Sequence, residues 1–180
     1  MNENLISEIK NFFDEISIIK TSQLSFSLLV RKACEQNQCG FFDKNWRCPP
    51  ACGSIEELRT LIQSFSSMLV FTKIVVLQDS FDFESMNLGR KEVFRFLRLI
   101  NKKYELAKHK MMILGAGSCD LCSPCLYPHE ACRYPDESFI SLEASGIDVG
   151  ELAKAANVKY FNGPNTVTYF AAVLFSGENQ

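Results

Sequence analysis

The sequence lacks a long hydrophobic run. Its longest, Met68 to Leu77, is interrupted by Thr72 and Lys73, and it falls well short of the roughly 18–20 apolar residues a membrane-spanning helix needs. It lacks a basic excess: 19 lysines and arginines stand against 21 aspartates and glutamates, for a net charge of −2. That balance, with no acidic or basic tail, argues against a nucleic-acid partner. The N-terminus shows no basic start, apolar core and small-residue cleavage site of a secretory leader. No Walker lysine pattern and no nucleophile elbow is present. These absences predict a cytoplasmic protein with no membrane and no nucleic-acid contact.

What is present is a packed interior and an unusual amount of cysteine. Of 180 residues 47% are hydrophobic and fifteen are phenylalanine, enough to build a core without staples. We expect one domain over residues 1–180. The apolar spacing at Leu5, Ile6, Ile9, Phe12, Phe13 and Ile16 predicts an amphipathic helix from Asn4 to about Ile19. Alternation at Leu24, Phe26, Leu28 and Val30 predicts a strand leading into Cys34. Ser54 and Glu57 match a capping box that opens a second helix. Met68 to Leu77 and Thr166 to Phe175 read as buried strands, and Met111 to Leu114 as a short one.

A long helix is predicted over Leu88 to His109, with Val93, Leu97, Ile100, Tyr104 and Ala107 inward. Its outer face is basic: Arg90, Lys91, Arg95, Arg98, Lys102 and Lys103. Those charges predict a solvated surface, with docking to an acidic partner as the alternative. Asp148 and Glu151 open a further helix to about Ala156. The fold class expected is α/β (α+β): a small mixed sheet flanked by helices, with the strand–helix–strand unit 68–114 crossing to a parallel neighbour. Two cysteine-rich metal-binding loops, 34–53 and 117–135, would sit at one end.

All eight cysteines fall into two quartets. Cys34, Cys39, Cys48 and Cys52 are spaced C-x4-C-x8-C-x3-C; Cys119, Cys122, Cys125 and Cys132 are spaced C-x2-C-x2-C-x6-C. In a reducing compartment such clustering points to metal and not to disulfides. Three thiols two residues apart, followed by a distant fourth, resemble the loops that wrap a cubane iron–sulfur cluster. Zinc knuckles fit less well. Cys48 and Cys52 would make one, Cys34 and Cys39 are a residue too wide for a second, and the three thiols at 119–125 crowd one tetrahedral ion. Two [4Fe-4S] clusters rank first, with zinc at one or both sites as the alternative. The helix N-terminus after Cys52, and Arg31, Lys32, Lys44, Arg47 and Arg133, stand near enough in sequence to offset a cluster's negative charge.

Other residues carry less. His129 lies inside the second loop but four thiols already suffice there. Trp46, the single tryptophan, packs either over a cluster or in the core. Glu143 and Asp148 form a possible carboxylate pair, although Asp148 is better explained as a cap. Gly115-Ala116-Gly117 follows a strand but lacks the third glycine of a nucleotide loop.

Taken together, Trp46-Arg47-Cys48-Pro49-Pro50, Cys119-Asp120-Leu121-Cys122 with Cys125, Cys132-Arg133-Tyr134-Pro135, and Leu142-Glu143-Ala144-Ser145-Gly146-Ile147-Asp148-Val149 resemble an uncharacterised family. Its members are small cysteine-rich proteins of bacteria and archaea described as predicted metal-binding. The resemblance implies that all eight cysteines are ligands, and it implies no reaction. Ligand saturation by four thiolates favours electron transfer with a redox partner protein. An iron–sulfur enzyme, with an open cluster site or a substrate pocket between the loops, and a zinc-stabilised interaction module are the alternatives.

Overall fold

The computed structural model describes residues 2–177. Among these residues a mixed five-stranded sheet is flanked by five α-helices, in the strand order β1-β2-β5-β3-β4. The central strands β2 (Ser67–Val76) and β5 (Thr166–Phe175) pair antiparallel along their whole length. Both faces of this pair are covered, which is why the strands read as nearly continuous apolar runs. Met68 and Val70 point to one face, with Leu58 and Ile62 of α3 (Ile55–Gln63) and Leu152, Ala153 and Ala156 of α5 (Val149–Ala156). Leu69 and Phe71 point to the other, with Leu5 and Ile9 of α1 (Glu3–Phe12) and Val93, Phe94, Leu97 and Ile100 of α4 (Phe83–Lys103). Each of these side chains larger than alanine contributes about 1.5–3 kcal/mol by leaving water.

The first helix is shorter than its apolar spacing suggests. It stops at Phe12, and Glu15–Lys20 forms β1, antiparallel to β2. Ile16, Ile18 and Ile19 are β-branched and suit a pleated surface better than a helix. Asp14 fixes the switch, since its carboxylate accepts from the Ile74 amide at 2.7 Å. The alternating segment that follows is also not a strand. Phe26 makes a single bridge to Ile147, and Ser27 then caps α2 (Leu28–Glu35), its hydroxyl accepting from the Leu29 amide at 3.2 Å. Cys34 therefore lies on the last turn of a helix.

The long helix begins and ends earlier than its charge pattern suggests. Asp82 caps α4 by accepting from the Ser85 amide, and the chain turns after Tyr104. Ala107 is exposed, and Leu106 takes the buried place. Gly89 permits a close approach to the sheet, because a Cβ there would stand 2.5 Å from Val75 Cγ2.

The strand–helix–strand unit does connect parallel strands, but they are not neighbours. Antiparallel β5 lies between β2 and β3 (Met112–Gly115). The parallel neighbour of β3 is β4 (Ile140–Ser141), two residues long. Both cysteine loops gather beyond the C-terminal ends of β3 and β4, where Gly117, Ser118, Ser141 and Glu143 share a cavity with Cys34, Cys39 and Cys48.

Candidate metal centre

Backbone and helix ends hold the first loop. The Ser27 amide, at the start of α2, donates to Gly146 O at 2.8 Å. Arg31, one turn on, donates to Ala144 O and Gly53 O, and its Nη1 stands 3.5 Å from Cys52 Sγ. One guanidinium thus ties α2, the end of the first loop and the 142–148 turn together. Gly146 is required in that turn: its φ is +79°, and a Cβ would meet Ile55 at 2.4 Å. Past Cys52, Glu57 accepts from the Ser54 amide at 2.8 Å and Ser54 accepts from the Glu57 amide at 3.1 Å. The capping box predicted there is present. It also closes the α3 N-terminus on itself, so Arg31 is the positive group that reaches a first-loop sulfur.

Cys34, Cys39 and Cys48 line a cavity of about 530 Å3. Burial raises the thiols of Cys34 and Cys52, against the pull of Arg31. Burial pushes Cys48 up to about 11; Asn45 opposes that shift, and neighbouring Cys39, Cys52 and Cys34 add to it. The four sulfurs of the quartet therefore share one neighbourhood. Asn45 is itself buried. Its Oδ1 accepts from the Arg47 amide at 2.9 Å, which fixes the amide plane. Its Nδ2 is buried with no partner. An unsatisfied buried donor costs about 1–3 kcal/mol, and a thiolate at Cys48 would satisfy this one.

Charge holds the second loop. Arg98 of α4 forms an ion pair with Asp120, and Arg90 Nη1 lies 4.0 Å from the other carboxylate oxygen. Arg90 also donates to Ser118 O at 3.0 Å, Arg98 to Glu137 O at 3.3 Å, and Asn101 to Asp136 O at 2.7 Å. Both ends of the loop are strapped to α4. Two of the six basic residues expected to face solvent are thus turned onto the cysteine loop. Both guanidiniums also lie over the Phe94 ring, at 5.8 and 5.3 Å. The sequence did carry a signal for this, since 90, 94 and 98 are four apart and share one stripe of the helix.

Cys119, Cys122, Cys125 and Cys132 all line a second cavity, of about 440 Å3, and burial raises the Cys119 thiol. The first loop supplies much of the facing wall, including Phe41, Trp46 and Arg47. Trp46 is neither a core residue nor a lid over its own quartet. Its indole donates to Glu130 O at 3.0 Å and meets the Tyr127 ring edge-on at 4.9 Å. Tyr127 in turn donates to Asp43 at 2.7 Å. Arg47 crosses too, to Ser138 Oγ at 2.7 Å and Pro135 O at 2.6 Å. Lys32, Lys44 and His129 are exposed. Asp148 caps α5, accepting from the Glu151 amide at 3.0 Å.

All eight cysteines are free thiols. Among the described residues, no three histidine, cysteine, aspartate or glutamate side chains converge as they do around a single metal ion. All the cysteines but Cys52 instead border the two cavities described above. No helix of the described residues is long and apolar enough to cross a membrane. Compared with known families, residues 17–175 match the model described as predicted metal-binding protein (DUF2284). No curated protein and no solved structure matches the chain.

Proposed function

The chain belongs to this family of predicted metal-binding proteins, and from that premise we propose that each cysteine quartet holds a [4Fe-4S] cluster and that the protein transfers electrons. Cys34, Cys39, Cys48 and Cys52 would hold the first cluster, and Cys119, Cys122, Cys125 and Cys132 the second. The observation that carries this reading is the division of the cysteines between two cavities, one bordered by Cys34, Cys39 and Cys48, with Cys52 close enough to raise the Cys34 and Cys48 thiols, and the other by all four cysteines of the second quartet. A cluster several atoms across needs its sulfurs set apart around a space, whereas one zinc ion needs them drawn to a point. The unpaired Asn45 amide beside Cys48 fits the same group, as a donor to sulfur.

When bound, such clusters supply one-electron oxidation and reduction. The chain's own residues bury and position them. Arg31 offsets negative charge at the first quartet. Arg90 and Arg98 hold Asp120, which lies between Cys119 and the rest of its loop. Phe41 lines both cavities, so the two sites share a wall. One domain carries both sites, in a reducing compartment, and a separate redox protein exchanges electrons with them.

The test is anaerobic purification followed by iron and acid-labile sulfide analysis, visible absorption and paramagnetic resonance after reduction. The expected result is a brown protein with about eight irons per chain, bleached reversibly by a one-electron reductant. A colourless protein that retains zinc, and that unfolds when the zinc is chelated, would overturn it.

A further inference from the structure

The first quartet's cavity opens onto another. A second space, of about 570 Å3, shares Arg90, Gly117 and Glu143 with it. The far walls of this annex are aromatic, from Tyr160, Tyr169 and Phe170, with the Asp148 carboxylate among them. Tyr160 and Phe161 at its rim are 61% and 70% exposed. Few well-placed charges on a largely apolar wall are the usual form of a small-molecule site.

The arrangement of charge narrows the ligand. Arg90 and Glu143 face both cavities, yet no ion pair joins them. The Glu143 carboxylate makes no hydrogen bond or ion pair among the described residues, although the residue's carbonyl accepts from the Gly146 amide at 2.9 Å. Asp148 commits only Oδ1, to the α5 cap. Arg90 donates to Ser118 O and, at 3.4 Å, to Asn87 Oδ1 through its two Nη atoms; Asp120, 4.0 Å away, is shared with Arg98, so the two guanidiniums keep one net positive charge. Opposite charges held apart across one space are matched by a ligand bearing both of the complementary signs.

We propose that this annex binds a small zwitterion with an apolar body, the chemistry of an α-amino acid with an apolar side chain. Its carboxylate faces Arg90, its ammonium faces Glu143 and Asp148, and its side chain lies on Tyr160 and Phe170. A ligand with only one charge leaves one wall unmatched. The site does not depend on which metal the neighbouring quartet holds.

Calorimetric titration of the whole anaerobically purified protein tests this, using L-leucine, L-methionine and L-phenylalanine. 4-Methylpentanoate and 3-methylbutylamine serve as the single-charge controls for leucine. At least one amino acid is expected to bind, and for leucine each control is expected to bind about tenfold or more weakly. Glu143→Gln is expected to weaken amino-acid binding about tenfold while leaving 4-methylpentanoate unchanged. Glu143 is exposed, so the variant is expected to keep the wild-type circular dichroism. No binding of any of the three, controls that bind as tightly as the amino acid, or binding indifferent to Glu143→Gln would each overturn the proposal. Metal analysis of the same samples separates this outcome from the fate of the cluster reading.

Discussion

The two cysteine loops reach similar ends by different physics. The first hangs between two helix termini and is fixed by main-chain carbonyls around Arg31, with Cys48 buried. The second is a loop with little regular structure, held to the side of α4 by the Asp120 ion pairs and by carbonyls that α4 side chains grasp. Burial raises the Cys34, Cys48 and Cys52 thiols in the first and Cys119 in the second. Each loop hangs on a charged anchor, Arg31 binding carbonyls in the first and Asp120 binding guanidiniums in the second, and one substitution can loosen either without unfolding the other.

The largest expected effect breaks the comparison at its root. Cys48→Ser should remove the first site's iron and leave about half the total, and Cys122→Ser should do the reverse; iron counts and resonance spectra of the two variants read this. If either substitution strips both sites, the loops are one cooperative unit and the contrast fails. Next, Asp120→Asn leaves two partly buried guanidiniums without their carboxylate. It should cost about 1–3 kcal/mol in urea unfolding and loosen the second site's metal before the first's. Arg31→Met tests the other anchor, with a similar cost and the opposite order of metal loss.

Smaller effects sharpen the contrast. Asn45→Ala removes a donor aimed at the Cys48 sulfur. In the loaded protein it should lower the first cluster's potential by about 50 mV, the equivalent of one hydrogen bond in a one-electron couple. A redox titration monitored by resonance would show that shift on one cluster alone. Smallest of these, Ser54→Ala removes half of the capping box after Cys52 and should cost about 1 kcal/mol of stability, with both metals retained.

Much of the scaffold was legible because its signals are local. The Ser54–Glu57 box, the Asp148 cap and the extents of β2 and β5 follow from residue types at fixed offsets. The errors lie where two periods coincide. Ile16 and Ile19 continue the helical spacing of α1 and also suit a strand, and only pairing with β2 decides between them. Ser25 and Ser27 alternate with apolar residues as a strand would, but Ser27 is a cap. β4 has two residues, too few for any period. At the candidate site, grouping the cysteines needed only counting. The partners of the loops could not be counted: Asp120 with Arg98, Trp46 with Glu130 and Arg31 with Ala144 are separated by 22, 84 and 113 residues.

Trp46 has a consequence for how such a chain can be cut or inherited. By sequence it belongs to the first quartet, yet it forms part of the housing of the second. A fragment starting at residue 54 would keep every thiol of the later quartet and lose the indole, the arginine and the phenylalanine that shut it from solvent. Its cavity would lose that wall, so the later quartet is not a self-contained module.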